Sequence, residues 1–270
     1  MRLGSAQLCS SSDRLGSDST EMMCGVWDSL SHGNGSGIDL ALCRGGVCWH
    51  GGGMSDASES QKLTPSGLAA LLCARICHDL VSPVSALGTA LEVLDDPDNP
   101  DMHADALDLV KLSAGQASAK LQYLRLAFGS GGSAPGVMGM DQVRELVDGI
   151  YGDGKVEVNF VGNTSELSKD HVRLLLNLIM VAVGAVPRGG VVSVSPKTGA
   201  EAVSLLLSAT GPKARLADDI AKPLAGAMPE GGFDGRSIQP FYTGLMAREM
   251  NGKLSAGVDG ETVTIKADLP

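Results

Sequence analysis

The strongest constraint on the fold is a stripe of apolar residues in a long helical pattern that opens at Thr64 and Pro65. Its members recur at spacings of 4, 4, 3, 4, 4 and 3, and they are Leu72, Ile76, Leu80, Pro83, Leu87, Leu91 and Leu94. At about 100° per residue, these positions form one side of an α-helix. Because His78 lies two residues from both Ile76 and Leu80, we expect its imidazole on the opposite, outer face.

A second helix is predicted directly after the first. The segment 95–100 reads Asp-Asp-Pro-Asp-Asn-Pro, which cannot continue a helix and favours a turn. Beyond it, a heptad seam recurs at spacings of 3 and 4, at Leu107, Val110, Ala114, Ala117, Leu121, Leu124 and Phe128. Two helices bury each other's apolar faces only in part. We therefore predict that residues 63–130 form an antiparallel hairpin, and that two copies make a homodimeric four-helix bundle.

The rest of the chain divides by composition. Residues 1–62 are rich in Gly, Ser and Asp, and we expect a disordered N-terminal extension, with Met54 as an alternative start of the functional protein. The Gly-rich stretch 131–139 is interpreted as a linker. Residues 140–270 alternate helical and strand patterns, which predicts an α/β sandwich with helices on one face of the sheet. The fold class is thus α plus α/β.

Composition excludes several classes of function. The net charge of −10 argues against a general binder of nucleic acid or of anionic membranes, because both require basic surfaces. No continuous apolar run approaches the roughly 18 residues of a membrane span, and no signal peptide opens the chain, so we expect a cytoplasmic protein. Cys43, Cys48 and His50 lack a fourth ligand for zinc, so neither a metal nor a cofactor of its own is predicted.

The segment His78-Asp79-Leu80-Val81-Ser82-Pro83 resembles the phospho-acceptor box of histidine kinases. A neutral imidazole is a nucleophile near neutral pH, since the ordinary pKa of histidine is about 6.5. The neighbouring carboxylate of Asp79 can fix the tautomer and orientation of the ring. Pro83 lacks an amide hydrogen and can bend the helix just beyond the histidine. We therefore predict that His78 is the phospho-acceptor and that Asp79 orients it.

The C-terminal half resembles the ATP-binding domain of the same kinases but departs from its motifs at three places. Val181 occupies the position of the metal-binding Asn, and Ala209 that of the adenine-binding Asp. Lys213 replaces the second Gly of the latter motif, and Phe241–Leu245 is what remains of the last glycine-rich loop. Without these groups a phosphate cradle and a metal site are incomplete. We expect a degenerate domain that does not use ATP.

An acceptor-histidine bundle joined to such a domain resembles the ChpT family of histidine phosphotransferases over about residues 63–270. The resemblance implies a bacterial phosphorelay, in which the receiver domain of a hybrid histidine kinase (CckA) phosphorylates His78. His78 would then pass the group to response regulators such as CtrA and CpdR. The receiver would supply Mg²⁺, as in phosphoryl transfer generally. Candidate docking residues on the outer face of the helix are Ala74, Arg75, Ser82, Ser85 and Thr89.

Two other functions remain open from the sequence. One is an ATP-dependent sensor histidine kinase, against which Val181 and Ala209 argue. The other is a non-catalytic dimeric scaffold that only binds receiver domains.

Overall fold

The computed structural model describes residues 63–129, 136–199 and 202–270. The predicted extension 1–62, the alternative start at Met54 and the residues Cys43, Cys48 and His50 lie outside the described part of the chain. The predicted linker lies outside it in part, through residue 135.

The N-terminal part is the predicted helical hairpin. Helix α1 (Pro65–Asp95) begins where Thr64 Oγ1 accepts a hydrogen bond from the Gly67 amide at 3.1 Å, with Pro65 in the first turn. A 3₁₀ turn (Pro100–Met102) leads into helix α2 (His103–Phe128). The two helices pack along their lengths in antiparallel directions.

The remaining elements form the predicted α/β part. In chain order they are β1 (Val137–Gly139), α3 (Met140–Tyr151), β2 (Val156–Phe160), β3 (Glu166–Ser168), α4 (Lys169–Gly184), β4 (Gly190–Thr198), β5 (Val203–Thr210), α5 (Asp218–Leu224), α6 (Ile238–Glu249), β6 (Lys253–Asp259) and β7 (Thr262–Leu269). Five strands make one sheet in the order β2-β4-β5-β7-β6. Among the strands that the structure describes, only β2 and β4 pair in parallel.

The core lies between this sheet and the helices on one of its faces. Helix α4 is apolar almost all round, and it packs against β4, β5 and β7 while α2 and α6 cover its other side. Alternate residues of β7 are buried, as is typical of a sheet with one covered face. The fold class of a helical part followed by an α/β sandwich is therefore confirmed.

One part of the predicted linker differs from expectation. Val137–Gly139 forms β1, which pairs antiparallel with β3, and Met138 lies opposite Leu167. These residues therefore belong to the α/β part and are not a free connection. A strand of three residues beside a Gly-rich stretch carries too little alternation to be recognised from its sequence.

The apolar stripes are only partly covered within one chain. Leu91, which belongs to the predicted stripe of α1, is 52% exposed, and Leu107 and Leu121 of α2 are 49% and 54% exposed. Ala106 and Ser113 are buried instead. Part of the covered side of α2 thus lies one residue away from the predicted seam. Within the seam itself Leu124 is buried, whereas Leu107, Ala114 and Leu121 are exposed.

Helix α1 is long and apolar enough, by length and composition, to cross a membrane. The sequence has no continuous apolar run of that length, but the average over a window of 18 residues is high. One such helix is weak evidence for a membrane protein, and Arg75, His78 and Asp79 lie within it. It does not indicate that this is a membrane protein.

Candidate functional site around His78

The imidazole of His78 projects from α1 into solvent. Its side chain is 84% exposed, whereas that of the next residue, Asp79, is 21% exposed. His78 Nδ1 lies 3.3 Å from Asp79 Oδ1, within hydrogen-bond distance. Among the described residues, Nε2 has no hydrogen-bond partner. If Nδ1 carries the proton and donates to the carboxylate, Nε2 keeps a free lone pair, as a nucleophile requires.

The carboxylate of Asp79 is held from its other side by Arg75, one helical turn earlier. Arg75 Nε donates to Asp79 Oδ2 at 3.0 Å, so the two carboxylate oxygens have different partners. Arg75 Nη1 also donates to the carbonyl oxygen of Gly235 at 3.1 Å, in the loop before α6. The side chain of Arg75 is 25% exposed. The Asp79 carboxylate therefore contacts the imidazole through one oxygen and the Arg75 guanidinium through the other. The guanidinium is in turn hydrogen-bonded to the α/β part.

The main chain at Asp79 has a partner of its own. In an α-helix the carbonyl of Asp79 would accept from the amide four residues later, but that residue is Pro83, which has no amide hydrogen. Lys120 Nζ, from α2, donates to this carbonyl oxygen at 3.1 Å. A lysine on the neighbouring helix thus replaces the donor that the proline removes.

Beneath this turn of α1 lies a cavity of about 210 Å³ whose wall includes Arg75, Asp79 and Lys120 together with two tyrosines. Tyr123 is buried and donates to the Leu176 carbonyl at 2.7 Å. Tyr151 stands edge-on to Tyr123, with 6.2 Å between ring centroids. Burial raises the pKa of Tyr151 to about 12, so its phenol stays neutral. The two tyrosines therefore supply uncharged aromatic surface beneath the charged groups of Arg75, Asp79 and Lys120.

The predicted docking residues fall into two groups. Ala74, Ser82, Ser85 and Thr89 are exposed on the same side of α1 as His78. Their small side chains leave space for another protein to approach the ring. Arg75 instead faces the α/β part, because its guanidinium is engaged by Asp79 and Gly235. Whether any of these residues docks a partner stays a prediction.

The two residues predicted to replace the metal-binding Asn and the adenine-binding Asp of kinases are aliphatic and buried. Val181 is 4% exposed and Ala209 is fully buried, so neither position offers an oxygen to a metal or to an adenine amine. A cavity of about 250 Å³ remains beside Val181, and Arg215 and Arg236 also line it. In the part of the chain that the structure describes, no three His, Cys, Asp or Glu side chains cluster as metal ligands. The expected lack of a metal and of a cofactor stays a prediction.

The segment predicted to be the remnant of the last glycine-rich loop lies inside a helix. Phe241–Leu245 belongs to α6, and the Phe241 amide already donates to the Ser237 carbonyl at 3.2 Å. Amides that make helical hydrogen bonds are not available to cradle a phosphate. Gly244 has a packing role instead, because a Cβ there would collide with the carbonyl oxygen of Leu224.

Four members of the site were not found from the sequence, namely Lys120, Tyr123, Tyr151 and Gly235. Pro83 signals that a carbonyl one turn earlier needs another donor, but not which residue supplies it. The contact of Arg75 with Gly235 joins residues that are 160 positions apart, and nothing in the sequence marks it.

Comparisons with known proteins agree with this description. The model of the histidine phosphotransferase C-terminal domain matches residues 140–262. The protein phosphotransferase ChpT of Brucella abortus (strain 2308) is 35% identical over 206 residues, which cover 76% of this chain and 97% of the relative.

Among solved structures, one described as a bacterial phosphotransferase is 33% identical and superposes with a TM-score of 0.68. The match covers 76% of this chain and 98% of that one. The histidine kinase AdeS of Acinetobacter baumannii is 16% identical with a TM-score of 0.39, over 71% of this chain and 96% of that one. By its identity to ChpT across nearly the full length of that relative, the chain belongs to the ChpT family of histidine phosphotransferases and is a phosphotransferase.

Proposed function

We propose that this phosphotransferase is a relay protein of a bacterial phosphorelay in which His78 carries the phosphoryl group. The observation that carries the proposal is the exposed ring of His78, whose Nδ1 faces Asp79 while Nε2 has no partner among the described residues. The expected nucleophile is therefore Nε2. Asp79 keeps the proton on Nδ1 and stabilises the positive charge that the ring gains on phosphorylation.

The donor is an aspartyl phosphate in the receiver domain of a CckA-like hybrid kinase. As the bond from phosphorus to Nε2 forms, the bond from phosphorus to the aspartate oxygen breaks, and the carboxylate leaves. The same steps in reverse pass the group to response regulators of the CtrA and CpdR kinds. Mg²⁺ belongs to the receiver, so His78 contributes position and a lone pair. The small exposed residues Ala74, Ser82, Ser85 and Thr89 are where the receiver would lie.

The residues at the positions that the resemblance to kinases assigns to nucleotide binding support a protein donor over ATP. Val181 and Ala209 present only hydrocarbon at two of its contacts, and the Phe241–Leu245 segment is helical. Three changes in three different elements argue against phosphorylation from ATP.

A homodimer is part of the proposal. Besides the face that carries His78, α1 has apolar residues at heptad-like spacing that one chain leaves exposed, namely Cys73, Cys77, Val81, Val84 and Leu91. Leu107, Ala114 and Leu121 are exposed at intervals of seven on α2. A second hairpin packed on these positions would complete a four-helix bundle and remove them from water. The occupant we propose is a second copy of this chain.

We further propose a cytoplasmic protein that binds neither nucleic acid nor membranes. Its net charge of −10 repels phosphate backbones and anionic lipid surfaces. The apolar side of α1 is then the bundle interface and not a lipid-facing surface.

The test is transfer from a phosphorylated receiver domain to the purified full chain. We expect rapid labelling that is labile in acid and stable in base, as phosphohistidine is, and that disappears in His78→Ala. His103→Ala is the matched control, since His103 lies on the same hairpin but contacts the Asp96 carbonyl, and it should label normally. A His78→Ala protein that still accepts the group would refute the proposal.

Two further results would select the competing functions. Labelling of the purified chain by ATP alone would identify a sensor kinase. Stable receiver binding without any transfer would identify a scaffold.

A further inference from the structure

We infer that Arg75 is a positioning residue that makes the reactivity of His78 depend on the loop between α5 and α6 (residues 225–237). The inference rests on the proposed role of His78 as the acceptor, and it deepens that role. It gives the α/β part a function that does not involve nucleotide. Through Gly235 this part binds Arg75, and Arg75 binds the carboxylate that contacts the His78 ring.

The first step is the bridge itself. The guanidinium of Arg75 donates through Nε to Asp79 Oδ2 at 3.0 Å and through Nη1 to the Gly235 carbonyl at 3.1 Å. Because a guanidinium is planar and its donors are fixed in direction, both contacts can form only when Asp79 and Gly235 are correctly placed relative to each other. The position of the carboxylate is therefore set in part by the loop.

The second step is the order of that loop next to Gly235. Asp234 Oδ1 accepts from the amides of Arg236 and Ser237 at 3.0 Å and 2.7 Å, and from Ser237 Oγ at 2.6 Å. Ser237 is buried and directly precedes α6. The carbonyl that holds Arg75 thus lies inside a hydrogen-bonded turn, which fixes its direction.

The third step links the carboxylate to reactivity. A neutral imidazole has two tautomers, and only the one with its proton on Nδ1 leaves Nε2 free to attack. Asp79 Oδ1 selects that tautomer by accepting from Nδ1, and Arg75 keeps Oδ1 turned toward the ring by engaging Oδ2. Loss of the bridge lets the carboxylate rotate, and the fraction of reactive tautomer falls.

The accessibility of Arg75 fits positioning better than docking. Its side chain is 25% exposed, against 84% for His78, and two of its donors are engaged inside the protein. To reach a docked receiver, the guanidinium would first have to release Asp79 or Gly235.

The test needs no protein partner. Phosphoramidate can phosphorylate histidine directly. A bond from phosphorus to Nε2 forms while the bond between phosphorus and the nitrogen of phosphoramidate breaks. That nitrogen carries three protons in the reactive form of phosphoramidate, and it leaves as ammonia. The Nδ1 proton stays with the ring. We would measure the rate of His78 labelling in the full chain, and the tautomer of the ring from its ¹⁵N chemical shifts above pH 8.

We expect Arg75→Ala to label about 10-fold more slowly, at the low end of what loss of an outer partner of a histidine costs in metal sites. Its ¹⁵N shifts should move toward an equal mixture of tautomers. Arg75→Lys, which keeps a cation beside Asp79 but lacks the fixed fork of donors that also reaches Gly235, should recover only part of both signals. Arg144→Ala is the matched control, because Arg144 pairs with Asp141 on α3 and has no contact with the site; it should match the unmodified protein.

Asp234→Ala tests the dependence on the loop, and we expect slower labelling with a smaller loss than in Arg75→Ala. An unchanged rate in Asp234→Ala would overturn the coupling to the loop. An unchanged rate and tautomer in Arg75→Ala would overturn the inference altogether. Failure of the relay has a different signature: phosphoramidate labels His78 in a manner that depends on Arg75, but no phosphorylated receiver transfers its group.

Discussion

Lys120 and Asp79 are joined across the hairpin by a hydrogen bond of 3.1 Å from Nζ to the main-chain carbonyl oxygen. That carbonyl is the one that Pro83 leaves without a donor in its own helix. Pro83 loosens α1 one turn beyond His78, and Lys120 of α2 fixes the loosened turn. The turn of α1 that carries His78 (residues 75–79, the acceptor turn) is therefore stabilised by α2 and not by α1 alone.

A double-mutant cycle tests this relationship. We expect Lys120→Met to lower the free energy of unfolding by about 1 kcal/mol, since it leaves a partly buried carbonyl without a donor. In a Pro83→Ala background the helix regains its own donor, so the same substitution should cost much less. Denaturant unfolding of the four proteins measures the coupling. Equal losses in the two backgrounds would show that Lys120 acts elsewhere.

The features that the sequence predicted well are local ones. Three of them are the exposure of His78, its pairing with Asp79 and the N-cap at Thr64. Each depends on residues within four positions of one another, where helix geometry determines which side chains are in contact. Lys120 and Gly235 contact the acceptor turn across 41 and 160 positions. Such contacts depend on how whole elements pack, and no periodic pattern encodes them.

The side of α2 that meets α1 shows the same limit. A heptad identifies which residues are apolar, but Ala106 and Leu107 are neighbours that both fit the pattern. Ala106 is buried against the hairpin, while Leu107 remains 49% exposed. The small side chain of Ala106 permits close approach of the two helices, and the larger side chain of Leu107 stays available to contact another protein surface.

Asp79 gives a direct test of ring orientation in the relay. We expect Asp79→Ala to slow transfer from a phosphorylated receiver about 10-fold or more, because the ring loses its acceptor at Nδ1. Asp79→Asn keeps an oxygen that can accept from Nδ1 and should lose less. Asp108→Ala, which removes an exposed partner of Lys111 on α2, serves as the control. Equal transfer rates in Asp79→Ala and Asp108→Ala would contradict the role of Asp79.

Asn177 is buried in α4 and joins three helices. Its Nδ2 donates to the carbonyls of Ala127 and Arg173 at 2.8 Å and 2.9 Å, and its Oδ1 accepts from Gln239 at 3.1 Å. We expect Asn177→Ala to lower the free energy of unfolding by about 2 kcal/mol, because Gln239 and the Ala127 carbonyl lose partners. Asn159→Ala, at an exposed position of β2, should change it little. A loss below about 0.5 kcal/mol for Asn177→Ala would show that water replaces these bonds.

His171 predicts how stability varies with pH. It lies half-buried in the first turn of α4, and burial lowers its pKa from the ordinary value, with Asp170 opposing the shift. Below about pH 6.5 the unfolded chain binds a proton that the folded chain does not, so the free energy of unfolding falls as pH drops through this range. Unfolding measured from pH 5 to 8 should show a shallower slope in His171→Gln. An identical slope would assign the dependence to other groups.

The exposed apolar positions of the hairpin predict the oligomeric state. We expect Val84→Glu and Leu121→Glu each to weaken the dimer at least about 100-fold, equivalent to about 3 kcal/mol, because a carboxylate would lose its water in the bundle. Val258→Glu is the matched control, since Val258 is similarly exposed at 52% but lies on β6. Sedimentation equilibrium separates monomer from dimer, and circular dichroism verifies that each variant is folded. If the unmodified chain sediments as a monomer, or if all three variants remain dimers, the second copy does not cover this face.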